Sequence, residues 1–216
     1  MKRINVLSWT GLAVLFLCAT SCRKDLAGTS TGATTPRAVT SFKVIGYLPS
    51  WAGSVGSIQF SKLTHINYAF ALPNANGTYQ AIDNTSKLTS MISSAHGAGV
   101  KALLSVGGGG GGGGFSGIVA SQTNINNFVN NTISLCNQYG LDGIDIDWEY
   151  PSPGTQANNF LTMMTALSTA LHNSGRILSV AVIGDGDGGQ IVSGPFSGMG
   201  RLRAWMRLAP LVITVC

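Results

Sequence analysis

Charge is scarce in this chain. Asp, Glu, Lys and Arg make up only 10% of its 216 residues, against ~25% in an average soluble domain. That excludes disorder driven by self-repulsion, and it excludes a long charged coiled coil. Cysteine is scarce too: Cys18, Cys22, Cys136 and Cys216. The first two belong to an N-terminal leader and the others stand alone, so there is no disulfide framework and no zinc spacing. A basic face for nucleic acid is missing as well. The formal charge is +5, but Lys2, Arg3, Arg201, Arg203 and Arg207 lie at the two extremes. Between Cys22 and Gly200, eight basic residues balance all eight acids, which leaves no patch for phosphate. Glycine is plentiful, with 29 residues, but it follows no three-residue period and collagen is excluded. Glutamate occurs once, as Glu149.

The leader reads as an export signal over residues 1–22. Lys2-Arg3 is its charged start, and Leu12-Ala13-Val14-Leu15-Phe16-Leu17 is the apolar centre. The apolar stretch is shorter than the ~20 residues a membrane span needs. Ala19-Thr20-Ser21-Cys22 resembles a bacterial lipoprotein cleavage box, with Cys22 as the acylated first mature residue. An ordinary secretory signal cut nearby, or a segment left uncleaved, is the alternative. Residues 23–41 have the composition of a flexible tether, which would reach roughly 25 Å as a coil. The expected location is therefore a membrane-anchored lipoprotein, periplasmic or at the cell surface, or a secreted protein.

Beyond residue 42, strand-like and helix-like segments alternate. Lys43–Leu48, Leu63–Leu72, Val100–Val106, Gly143–Tyr150 and Ile177–Ile183 read as strands. Thr85–His96, Ser121–Tyr139 and Asn158–Leu171 have helical apolar spacing and are each followed by glycine. Repeated βα units predict an α/β fold with a parallel sheet, either open and doubly wound or closed as a (β/α)8 barrel.

The fourth strand carries the chemistry. In Gly143-Ile144-Asp145-Ile146-Asp147-Trp148-Glu149 the odd positions are acidic and the even ones apolar. Side chains alternate across a strand, so Ile144, Ile146 and Trp148 pack outward. Asp145, Asp147 and Glu149 then line the interior, ~6.6 Å apart per step. Two charges at that spacing repel by ~2.5 kcal/mol at an effective dielectric of ~20, nearly two pKa units. The expectation is a protonated Glu149 beside ionised aspartates, which is what a general acid requires. A divalent metal site or a solvated acidic edge is the alternative. Asp142 has the opposite parity and is expected to be structural.

Asp142-Gly143-Ile144-Asp145-Ile146-Asp147-Trp148-Glu149-Tyr150-Pro151 closely resembles the DxxDxDxE signature of glycoside hydrolase family 18, the chitinases and their relatives. Leu104-Ser105-Val106-Gly107-Gly108 resembles the family's SxGG motif. Gly46-Tyr47 with Trp51, and Asn67-Tyr68-Ala69-Phe70, resemble its first two strands. The resemblance implies a (β/α)8 barrel and a substrate-assisted mechanism. It implies that Glu149 protonates the glycosidic oxygen, that Asp147 orients the substrate's acetamido group, and that Asp145 tunes Asp147. It places Tyr47, Trp51, Phe70 and Tyr150 against the sugar, with core packing the alternative for Phe70 and a rim position for Trp51. Ser105, Gly107, Gly108 and Asp142 are motif residues with structural roles. No metal or cofactor is implied. The implied partner is chitin or a related N-acetylglucosamine glycan, cut in an endo fashion. An endo-β-N-acetylglucosaminidase acting on N-glycans, or a non-catalytic lectin of the same fold, is the alternative.

Several segments depart from the family or carry weak signals. Residues 107–114 are eight consecutive glycines. Gly109 stands where many chitinases carry a tryptophan, which removes a stacking platform and adds a mobile loop. A GxGxxG pattern hides in any such run, and no ribose-binding acid follows it. Asp185-Gly186-Asp187-Gly188-Gly189 reads as a loop rather than a calcium repeat. His65, His96 and His172 share no ligand spacing. At about 31 residues per βα unit, the chain beyond residue 42 holds five to six units and five strands are read, so the expectation is a barrel truncated after about the fifth. Residues 42–200 would be its N-terminal portion, poorly stable and with little hydrolysis. The arginine-rich residues 201–216 read as the product of a frameshift or premature stop, or as a divergent tail.

Overall fold

The computed structural model describes residues 42–182, except 111 and 153, and residues 212–215. Cys22, the signal and tether segments, Asp185–Gly189 and most of the arginine-rich tail lie outside the described residues. Among those described, six parallel strands form one sheet: β1 (Ile45–Pro49), β2 (His65–Ala71), β3 (Lys101–Gly107), β4 (Gly143–Asp147), β5 (Ile177–Val182) and β6 (Val212–Val215). The α-helices between them are α1 (Thr85–Gly97), α2 (Gly113–Val119), α3 (Gln122–Tyr139) and α4 (Thr155–Asn173).

Strand order decides between the two architectures. A doubly wound sheet reverses its order at a switch point. Here the order is β1-β2-β3-β4-β5-β6 without reversal, the order of a barrel wall. The sheet is also curled. β1 and β4 are three strands apart, about 14 Å in a flat sheet at ~4.8 Å per strand. Yet the Tyr47 hydroxyl on β1 lies 2.8 Å from Asp145 Oδ2 on β4. Only a concave sheet brings those side chains together.

The two faces differ sharply. Leu48, Tyr68, Leu104, Ile144 and Leu178 stand in one register row across β1 to β5, all buried in the helix-facing core. The neighbouring row of opposite parity is Pro49, Ala69, Ser105, Asp145 and Ser179. Apolar burial under the helices therefore pays for a polar interior on the concave side. Asp142 sits just before β4 and ties the opposite end of the wall together. Its carboxylate accepts from Lys101 Nζ at 2.6 Å, His96 Nε2 at 2.8 Å and the Ala102 N–H at 2.9 Å. Burial would raise its pKa, but these partners outweigh that and hold it below the ordinary carboxylate value.

Three local expectations change. β4 ends at Asp147, not Tyr150. The glycine run is not simply a mobile loop, because α2 starts inside it at Gly113. The tail holds a sixth strand, paired with β5 from Ser179↔Val212 to Val182↔Val215. Val-Ile-Thr-Val is a β-branched run suited to a sheet, and its arginine-rich surroundings hid it.

Candidate active site

The site lies at the C-terminal ends of the strands, where parallel barrels carry their chemistry. Asp145 is fully buried at its centre. Its Oδ2 accepts from Tyr47 on β1 and from Ser105 on β3, each at 2.8 Å. Its Oδ1 accepts from the Ser179 hydroxyl on β5. Ser105 and Ser179 are its direct register partners on either side. Burial raises the Asp145 pKa, while the hydroxyls of Ser179, Ser105 and Tyr47 and the Asn67 amide act in the opposite sense. The Asn67 amide is buried near this cluster, with neither Nδ2 nor Oδ1 in a well-formed hydrogen bond.

Asp147 is one step further along β4 and only 6% exposed. Burial first, then the charges of Glu149 and Asp145, push its pKa up from 3.8 to about 6. Both inner aspartates thus have raised pKa values, Asp145 through burial and Asp147 through burial together with the charges of Glu149 and Asp145. Glu149 does not line the interior. It stands exposed at the mouth, two residues past the end of β4.

Trp148 sets that position. Its ring is buried on the outer face, stacked on Phe115 of α2 at 5.3 Å and edge-on to Phe160 of α4 at 5.5 Å. With Trp148 locked outward, its neighbour Glu149 is turned to the opposite side. The glycine run closes round the same point. The Gly108 N–H donates to the Asp147 carbonyl at 2.8 Å. A Cβ on Gly109 would face Glu149 Oε2 at 3.5 Å, so a side chain there would stand over the acid.

The aromatic candidates divide. Trp51 is 69% exposed, with its ring 6.1 Å from the half-buried Phe70. Phe70 in turn covers Gly108. Lys87 holds the Trp51 loop, donating through Nζ to the carbonyls of Pro49 at 2.7 Å and Ala52 at 2.6 Å. Tyr150 is exposed beside Glu149, and Tyr47 is partly exposed while its hydroxyl serves Asp145. Sequence reasoning missed Ser179 and Asn67. Ser179 is the one polar residue in Ile177–Val182, and only the register that pairs it with Asp145 shows what it does. Among the described residues, no three His, Cys, Asp or Glu converge as a metal cluster does.

The raised Asp147 gives a stability prediction. Between pH 3.8 and about 6 the folded chain binds a proton at Asp147 that the unfolded chain does not. Its contribution to stability is therefore greatest at low pH and is lost as pH rises through about 6. Asp147→Asn, neutral at every pH, is expected to melt higher than wild type at pH 7.5, with the gain vanishing near pH 4. Thermal unfolding at the two pH values checks this; an equal difference at both would contradict it.

Residues 43–194 match Glycosyl hydrolases family 18, and the chain belongs to that family. A chitinase-like effector of Moniliophthora roreri is 33% identical over 111 residues, covering 49% of this chain and 27% of its own length. Chitinase A1 of Niallia circulans is 27% identical over 173 residues, covering 56% and 25%. A solved chitinase from Rhizomucor miehei is 34% identical with a TM-score of 0.59, covering 64% of this chain and 47% of that one. A chitinase-like agglutinin from Robinia pseudoacacia is 28% identical with a TM-score of 0.60, covering 65% and 46%. A mutant Cycas revoluta chitinase in complex with (GlcNAc)4 is 25% identical with a TM-score of 0.58, covering 64% and 45%. The chain thus spans about a quarter of the two curated relatives and under half of the solved chains. The fold is chitinase-like, and the strands described are those of a (β/α)8 barrel wall.

Proposed function

We propose that the site hydrolyses β-1,4-linked N-acetylglucosamine chains of the chitin type, with retention and with help from the substrate. The observation that carries this is the graded run of acids along and just past β4: two buried aspartates leading to an exposed glutamate at the barrel mouth. Glu149 gives its proton to the glycosidic oxygen. The acetamido oxygen of the same sugar attacks the anomeric carbon as the bond to the leaving sugar breaks, and a cyclic oxazolinium ion forms. Asp147 faces the acetamido group and stabilises its developing charge. Water then adds to the anomeric carbon and gives a proton back to Glu149. Trp51, Phe70, Tyr47 and Tyr150 offer aromatic faces suited to sugar rings. In this reading the leader directs the site outside the cytoplasm, held through an acylated Cys22.

The test compares fully acetylated with fully deacetylated oligomers. Cleavage of the acetylated oligomer is expected, with the β-anomer appearing first by NMR and no cleavage of the deacetylated one. Comparable hydrolysis of both would overturn the mechanism. Tight binding of the acetylated oligomer without any cleavage would convert the reading to a lectin, the kind of protein the Robinia agglutinin is named as.

A further inference from the structure

We propose that Ser179 is a positioning residue for this site: its hydroxyl clamps the Asp145 carboxylate from the β5 side and thereby governs how Asp145 and Asp147 share a proton. The inference deepens the reading above and rests on it for its meaning in catalysis.

The geometry is a two-sided grip. Tyr47 and Ser105 both reach Oδ2, from β1 and β3. Ser179 reaches Oδ1 from β5. A carboxylate held at one oxygen alone can still turn about its own axis. Held at both, its plane is fixed, and so is the edge it shows to Asp147, the next inward residue on β4. Ser179 is 1% exposed and in direct register with Asp145, so water cannot easily replace its hydroxyl. Removing it leaves Oδ1 buried without that donor. A buried, under-bonded oxygen is satisfied most readily by taking a proton.

The groups acting on the pair come from every neighbouring strand: Tyr47 from β1, Asn67 from β2, Ser105 from β3 and Ser179 from β5, with Glu149 following β4. The first four act on Asp145 in the direction that favours its ionised form. Loss of the Ser179 hydroxyl therefore moves the shared proton toward Asp145. The charge of Asp145 acts on Asp147, so a change at Asp145 is also read in the Asp147 signal.

The experiment is a carbon-13 NMR titration of the side-chain carboxyls in the full chain. Peaks are identified by their loss in Asp145→Asn and Asp147→Asn. In Ser179→Ala the Asp145 midpoint is expected to rise by about one pH unit, and in Ser179→Thr, which keeps a hydroxyl, to return toward wild type. A structural role alone would lower the melting temperature and leave the midpoints where they were; that result, in a folded Ser179→Ala protein, overturns the proposal. Should the alanine variant not fold, Ser179→Cys supplies a weaker donor of similar size. Its Asp145 midpoint must then move the same way by a smaller amount, and an unmoved midpoint again overturns the proposal. The titration requires no turnover. A blank hydrolysis assay would therefore count against the reading of the activity and not against Ser179.

Discussion

Glu149→Gln is expected to cut turnover of N-acetylchitooligosaccharides by about 10²- to 10⁴-fold, the range that removing a general acid commands. Sugar binding should change little. Glutamine keeps the length and shape of the side chain, and Glu149 is exposed at the mouth, so no buried partner is stranded by the exchange. What disappears is a proton that can be given to the leaving oxygen and taken back from water. Steady-state hydrolysis read beside calorimetric binding separates the two effects. Near-normal turnover would remove Glu149 from the acid role, and lost binding would mean that it holds the sugar instead.

A second large effect is expected at Gly107, through the backbone. Gly107 has φ +112°, and a Cβ built there would lie 2.1 Å from the Asp147 carbonyl oxygen. Neither atom can step aside, since both belong to paired strands whose register joins Gly107 to Asp147. Gly107→Ala is expected to cost at least ~3 kcal/mol, combining a forbidden backbone conformation with a main-chain clash. Gly110 supplies the control from the same glycine run. It too has positive φ, but a Cβ there meets nothing within 4 Å, so Gly110→Ala should cost only about 1 kcal/mol. Urea unfolding of the two variants measures the difference. Equal stabilities would mean that the close approach of β3 and β4 is not as tight as the geometry requires.

These two residues show what was legible in the sequence. The acidic run leading to Glu149 could be read because alternation on a strand is a strong, local pattern: Ile144 and Ile146 face the helices, and Asp145 and Asp147 face inward, as parity requires. The other strands of β1 to β5 were readable as short apolar runs, and α1, α3 and α4 from their 3.6-residue apolar spacing. Where alternation stops, the reading went astray. β4 ends at Asp147, and Glu149 is placed by the burial of Trp148 among Phe115 and Phe160, a tertiary contact with no periodic trace. α2 was invisible because it begins within glycines, which no propensity marks as helical. Its stability comes from burying Phe115, Ile118 and Val119. Ser179 was passed over because one serine in an apolar strand means nothing until the neighbouring strand is known.

The order in which this wall is assembled has a consequence for its most buried charge. Each strand pairs with the one before it in the chain, so a chain leaving the ribosome can lay down the wall stepwise, from mostly short-range pairings. Tyr47 and Ser105 emerge ahead of Asp145 and can receive it as it appears. Ser179 follows 34 residues later, after the whole of α4. During that interval the carboxylate is held from one side only, and a nascent chain stalled there carries its acid half-bound. The last hydroxyl to arrive therefore acts as a latch on the finished wall.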